Sequence, residues 1–371
     1  MDRGNKAPNL YGNKKSRIYM DLKGIIRENA LPYLPAKSLF RCAGVCRGWR
    51  FQISTAFFAH NQSNSFRSIS GFFFQSLAGM PAFMSLDPRA YGVPDPSLTF
   101  LREPVDVRTS CNGLLCCQGR TAYRPYYICN PANKQWKELP KPDGDHGPDP
   151  AVVLVFEPSI VNFTANYKLV CPFPSELGEY KFEVYSSDRG SWRTSGEIRF
   201  DDNEKLLPKT GVHVNGIVYW LSTRGVTSFD LNSELCRLFS SNLENLGMIN
   251  GKLCAACIRN QKLIVFMLTN PQSHTRRRAA VKTWTRILPE IKLDSTLPVE
   301  SNTCPCNYSG RYCDGHNQLH IVFVGDVVVL RKRNSYYCID MNKKASNCLG
   351  EYIIHPYERF VGYVNGLVNL Y

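Results

Sequence analysis

Cys304-Pro-Cys306, Cys313 and His316 put four soft ligands within thirteen residues, the kind of density with which thiolates and imidazoles hold zinc. The spacing, C-x-C-x6-C-x2-H, departs from the common ligand pairs, so no metal is expected there. His316 and His320 would share one strand face, yet the seven histidines are scattered and form no copper or iron constellation. A nucleophile is equally hard to build. There is no Gly-x-Ser-x-Gly elbow, no phosphate-cradling glycine loop and no pair of metal-binding carboxylates. Glu176, Glu179, Asp201 and Asp202 read as solvated loop charges. The residue types therefore point to binding, without cofactor or catalysis.

What the chain binds is first constrained by charge. Lys plus Arg number 45 and Asp plus Glu 31, a formal net charge of +14, which raises nucleic acid as a partner. The excess is diffuse. Its densest clusters are the N-terminal Arg3, Lys6, Lys14, Lys15 and Arg17 and the run His274-Thr-Arg-Arg-Arg278, neither interleaved with aromatics, so nucleic acid is not the expected partner.

With 371 residues and 43% hydrophobic content, the chain is long enough for a sizeable core and two domains. Its longest apolar runs, Ala151 to Phe156 and Ile321 to Val324, are strand-sized and far short of the ~20 residues of a membrane helix. The first seventeen residues lack the apolar centre of a secretory signal, so the chain is expected in the cytoplasm, the nucleus or both. Fifteen cysteines, odd in number and set among apolar strand residues such as Cys42, Cys46, Cys171 and Cys257, read as reduced core residues. In that setting the sequons at Asn61, Asn162 and Asn307 carry no glycan.

Two periodicities divide the chain. Between Leu22 and Ile53 apolar residues recur at helical steps, with Leu39, Cys42, Val45, Cys46, Trp49 and Ile53 on one face. Pro32 and Pro35 break the preceding helix, Pro35 and Ser38 start the next, and Gly44 lets the chain turn. Some thirty residues bury too little surface to fold alone, so this bundle must dock on something larger.

After about residue 100 the period becomes two. Short strands alternate with Asn112-Gly113, Asn130-Pro131, Asp188-Arg-Gly190, Asn215-Gly216, Asn250-Gly251 and Asn365-Gly366. Counting the Asn-Gly hairpins at Gly113, Gly216 and Gly366 with turns at Asn260 and Asn317 gives gaps of 103, 44, 57 and 49, a period of kelch-like blades. Strands closing on Trp136 and Trp192 suit a tryptophan wedged between neighbouring blades. The expected fold is mainly β, a propeller of about six blades that removes its sheet edges by radial closure. Lys141 to Pro150 and Thr269 to Thr283 are its long connections.

The segment Leu34-Pro-Ala-Lys-Ser-Leu-Phe-Arg-Cys-Ala-Gly-Val-Cys-Arg-Gly-Trp-Arg50, followed by Ile53-Ser54 and Phe57-Phe58, resembles the second half of a plant F-box. Ser110-Cys-Asn-Gly-Leu-Leu115, Cys129-Asn-Pro-Ala-Asn-Lys-Gln-Trp136, Tyr185 to Arg193 and Val212 to Trp220 resemble, in order, the plant F-box-associated domain. One departure is Leu22-Lys-Gly-Ile-Ile26, which stands where the family carries Leu-Pro-x-Asp-Leu.

This resemblance implies a basic tail over residues 1–19 and a short three-helix F-box over 20–60. Residues 61–104 become a linker and the start of the propeller, and 105–371 the propeller itself. It further implies the substrate-recognition subunit of an SCF-type ubiquitin ligase. Leu34, Pro35, Leu39, Val45, Cys46 and Trp49 would anchor a Skp-type linker and through it a cullin, with Lys37, Arg41 and Arg47 as a polar rim. The propeller would hold an unidentified target protein. Rival readings are a free-standing propeller interaction module without ligase docking and an RNA-associated protein.

Overall fold

The computed structural model describes residues 22–76, 79–87, 91–175, 179–199, 205–207, 211–223, 225–240, 243, 245–259, 262–269, 283–287, 291–292, 320–324, 327–332, 335–341, 345–351 and 359–371. The expected N-terminal tail, the 274–278 basic run and the Cys304–His316 group lie outside these residues.

A helical module comes first: α1 (Leu22–Asn29), a 3-10 turn (Leu31–Tyr33), α2 (Ala36–Ala43), α3 (Arg47–Ile53) and α4 (Ala56–Ser65). Strands β1 (Gly71–Gln75) and β2 (Ala82–Ser85) follow. Then come five runs of antiparallel strands, the third and fourth back to back, and one final strand. The first run is β3 (Val105–Cys111), β4 (Leu114–Gly119), β5 (Tyr126–Asn130) and β6 (Gln135–Glu138). The second is β7 (Val153–Phe156), β8 (Tyr167–Pro174), β9 (Glu179–Ser186) and β10 (Ser191–Arg199). The third is β11 (Val212–Val214), β12 (Ile217–Leu221), β13 (Gly225–Asp230) and β14 (Cys236–Ser240), followed directly by β15 (Asn245–Ile249), β16 (Lys252–Arg259), β17 (Lys262–Thr269), β18 (Thr283–Arg286) and β19 (Ile291–Lys292) as a separate sheet. The last run is β20 (His320–Val324), β21 (Val327–Lys332), β22 (Ser335–Asp340) and β23 (Ala345–Glu351), and β24 (Arg359–Tyr363) ends the series.

The fold is a β-propeller. Five sheets have four strands or more, and a sixth of three strands has the order β2-β1-β24, pairing the beginning of the β region with its end. The strands β24, β3, β7, β11, β15 and β20, each at one edge of its sheet, touch in a closed circle. Radial closure turns the inner edges toward one another, where they are short and protected.

The core lies between the sheets, as radial packing requires. Tyr126, Ile128, Leu154, Leu169 and Trp192 fill the seam between the β3–β6 and β7–β10 sheets. Val153, Phe182, Trp220 and Phe229 fill the next, where the rings of Phe182 and Phe229 stack at 4.7 Å. Tryptophans bridge these seams: Trp192 Nε1, as the repeat predicts, donates to the Pro140 carbonyl at 2.7 Å, and Trp220 Nε1 donates to that of Ala151 at 2.7 Å, whereas Trp136 is on the outermost strand β6. Each bond crosses from one sheet to its neighbour.

Asn112-Gly113, Asn215-Gly216 and Asn250-Gly251 have positive φ at both residues, the hairpin geometry that Asn-Gly favours, and they join the first two strands of their sheets. Two sequence expectations change here. The equivalent repeat point is Asn250, not the next turn at Asn260. Asn365-Gly366 makes no hairpin, because it follows β24 as an irregular segment with Asn365 fully buried. Glu179, expected in a solvated loop, opens β9 and is buried.

Candidate functional site

The helical module is the part of the chain whose surface is hardest to explain by internal packing. Gly44 ends α2, so the single helical face expected from Leu39 to Ile53 is divided between α2 and α3. Within α3, the Cys46 Sγ caps the first turn by accepting the Trp49 N–H at 3.4 Å; in α4 Thr55 Oγ1 accepts that of Phe58 at 3.2 Å. The N-terminus of α2 has no side-chain cap. Its Ala36 N–H donates to the carbonyl of Asn365, far along the chain, at 2.9 Å.

Leu31, Ala36, Leu39, Ile53, Phe58 and Ala59 form the module's core, and the propeller completes it with Ala132 and Leu367. Gln62, with no exposed surface, donates through Nε2 to the Leu34 carbonyl at 3.0 Å and accepts the Leu367 N–H through Oε1 at 3.0 Å. Asn365 donates its own N–H to Ser70 Oγ at 2.9 Å and its Nδ2 to the Gly92 carbonyl at 2.8 Å. Phe57 and His60 of α4 lie against Phe163 of the β7–β8 connection, with ring centroids 5.1 and 5.3 Å apart.

These contacts assign the module to one face of the disc. Following the strand directions, the turns after β3, β5 and β7 and the segment after β24 emerge on the module's side. The β4–β5 connection and the long 139–152 connection emerge on the other. That connection is pinned inward: Glu183 Oε1 accepts the N–H groups of Asp143 and Gly144, each at 3.1 Å, and its Oε2 meets His146 Nε2 at 2.7 Å. Tyr126 Oη lies 3.0 Å from the other nitrogen of His146.

The six residues singled out by sequence divide between inside and outside. Leu39 is wholly buried and Pro35 is buried beneath the propeller segment, so both support the module from within. Leu34 and Trp49 are half-buried. Val45, 67% exposed, and Cys46 face outward, and the rim residues Arg41 and Arg47 are exposed as expected. Sequence reasoning missed Tyr33 (59% exposed), Phe40 (46%) and Phe51 (75%), apolar residues standing outside the buried stripe. Their signal was present in that misplacement: a group of large apolar residues on the side a helix should keep polar marks a candidate contact surface.

Among the described residues no group of three or more His, Cys, Asp or Glu side chains converges as a metal site, and no helix is long and apolar enough to cross a membrane.

Comparison with known proteins adds the lineage of this arrangement. A family profile described as "F-box associated beta propeller domain" matches residues 97–370. The chain is similar to the Arabidopsis thaliana F-box protein At5g49610, with 27% identity over 225 residues covering 58% of this chain and 59% of that one. It is also similar to the Arabidopsis thaliana F-box protein At5g07610, with 29% identity over 248 residues covering 60% and 57%. The Arabidopsis thaliana F-box only protein 13 is 25% identical over 241 residues, covering 60% and 49%. The matches thus span less than two thirds of these relatives. With the profile covering most of the sequence on a ring of antiparallel sheets, the chain belongs to the F-box associated β-propeller domain family.

Proposed function

We propose that this protein is the substrate-recognition subunit of an SCF-type ubiquitin ligase, its helical module acting as an F-box that docks on a Skp-type linker and so on a cullin. The observation that carries the reading is the outward set Tyr33, Phe40, Val45 and Phe51 on a module that already has a complete core. Apolar side chains left in water beside a finished core suit a partner helix, and a few such knobs hold most of the energy of an interface. Cys46 is exposed with them, Trp49 and Leu34 are half-buried against the module's core, and Arg41, Arg47 and Lys37 provide the rim. Leu39 and Pro35 act by holding α2 in place.

In this reading α1, α2 and α3 are the three F-box helices, and the three-stranded sheet is the sixth blade. The face opposite the module holds the target, whose lysines are thereby brought within reach of a ubiquitin-charged enzyme; proximity replaces chemistry. The protein itself is then non-catalytic, and it works in the cytoplasm or nucleus, which imaging of a fluorescent fusion tests.

Co-purification with a plant Skp-type linker tests the docking, comparing wild type with Val45→Glu/Phe51→Glu. Both positions are exposed, so the variant should fold. Loss of the complex only in the variant supports the ligase reading. A folded wild type that retains no linker refutes it and leaves a free-standing propeller interaction module, a reading favoured by the missing Leu-Pro-x-Asp-Leu at Leu22 to Ile26.

A further inference from the structure

The outer rim of the first four-stranded sheet carries a shallow cleft of about 490 Å³, bordered by Arg102, Lys134, Trp136, Lys137, Glu138 and Tyr371. It follows β6, the outermost strand in the order β3-β4-β5-β6. The Leu139 N–H donates to the Tyr126 carbonyl at 2.8 Å, which makes that pair hydrogen-bonded. Alternation along an antiparallel ladder then turns the backbone groups of Trp136 and Glu138 away from β5, toward the cleft. The Tyr371 hydroxyl already donates to the Trp136 carbonyl, and this is direct proof that the outward carbonyl takes a donor. The Trp136 N–H and both backbone groups of Glu138 lack a strand partner among the described residues.

The side chains around this edge select the occupant. Arg102 lies 5.2 Å above the Trp136 ring and holds Glu138 at 3.0 Å. Lys134 and Lys137 have no acidic partner among the described residues, so three cations surround one carboxylate. Trp136, packed partly against Tyr127 at 5.9 Å, and the outward Tyr371 ring provide apolar walls. A natural sheet protects such an edge with charge or cover. Here the cover is a single tyrosine side chain, and the charge, three cations to one carboxylate, is net positive.

We propose that the β6 edge is a docking site for an extended acidic peptide segment of a partner protein, which adds to the sheet as a further strand with its carboxylates against Lys134, Lys137 and Arg102. Backbone pairing supplies the register and the lysines choose the sign of charge. The inference does not depend on linker docking, because the edge lies on the propeller and is assayed without a linker.

The test uses the full chain and a fluorescein-labelled octapeptide of alternating valine and glutamate, read by anisotropy. The acidic peptide should bind at least tenfold more tightly than its valine–lysine counterpart. N-methylation of alternate amides should abolish binding. Lys134→Glu/Lys137→Glu should weaken it at least tenfold while leaving the melting temperature unchanged, and Trp136→Phe should weaken it less. Equal binding of both peptides overturns the proposal. So does an N-methylated peptide that binds as well as the parent, or a uridine octanucleotide that displaces the peptide at lower concentration than unlabelled peptide does. The last result would make the cleft a nucleic-acid site.

Discussion

Gln62 and Leu367 stand 305 positions apart, yet the side-chain oxygen of the first accepts the backbone N–H of the second at 3.0 Å. The same amide donates to Leu34, so one buried side chain ties the entry to α2, α4 and the segment after β24 together. Replacing Gln62 by leucine keeps its bulk and strands two buried backbone groups. The expected loss is about 2–4 kcal/mol, read from the urea midpoint at unchanged slope. A loss under about 0.5 kcal/mol would mean that water replaces the amide without difficulty.

Gly113 and Gly251 both have positive φ, +88° and +71°, but differ in surroundings. A Cβ on Gly113 would meet Gly366 Cα at 3.2 Å, whereas one on Gly251 meets nothing within 4 Å. Gly251→Ala should cost about 1 kcal/mol for backbone conformation alone. Gly113→Ala should cost about 1–2 kcal/mol more, because the backbone it strikes cannot rotate aside. Equal melting temperatures would show that the segment after β24 yields.

His213 gives a pH dependence of known sign. Its Nε2 accepts the Gly216 N–H at 3.1 Å across the Asn215-Gly216 turn, which requires a lone pair. Burial lowers its pKa below the ordinary 6.5, assisted by the nearby Lys168 and opposed by Glu157. The unfolded chain therefore takes up a proton that the native chain refuses, and stability falls as the pH drops through about 6.5 and below. His213→Gln, which keeps an acceptor but does not titrate, should lose about 2 °C less in melting temperature between pH 7.5 and 5.5 than wild type. Parallel losses would locate the acid sensitivity elsewhere.

The described thiols should divide sharply in reactivity. Cys46 is exposed, whereas Cys116, Cys117, Cys129 and Cys171 are fully buried and free. Burial also pushes the Cys111 thiol up to about 11, away from the reactive thiolate at neutral pH. Iodoacetamide at pH 7.5 followed by peptide mapping should mark Cys46 within minutes and the buried set only in denaturant. Early labelling of Cys117 or Cys129 would reveal local opening of the β4–β5 pair.

The fold was legible where one residue type has one physical use. Asn-Gly at 112, 215 and 250 demands positive φ, and each became a hairpin. The same dipeptide at 365 did not, because there the asparagine's backbone N–H, Nδ2 and backbone carbonyl are taken by Ser70, Gly92 and Ala36, contacts no local pattern records. The candidate site was half legible. Helical spacing identified Leu39 and Ile53, but spacing finds the stripe that a helix buries, and the residues left for a partner are those that depart from it. Phe40 and Phe51 departed, and Val45, which the sequence did name as an anchor, is exposed as they are.

The three-stranded sheet couples the order of synthesis to completion of the molecule. Helices α1 to α4 leave the ribosome long before the Leu367 that finishes their core and the β24 that partners β1. Every nascent chain therefore carries an incomplete helical module until Leu367 has emerged, and a chain halted before Arg359 should expose that module to protease while one extended past Leu367 protects it. The outward apolar set is thus held in its final arrangement only on copies that have reached Leu367, so quality control is built into chain order.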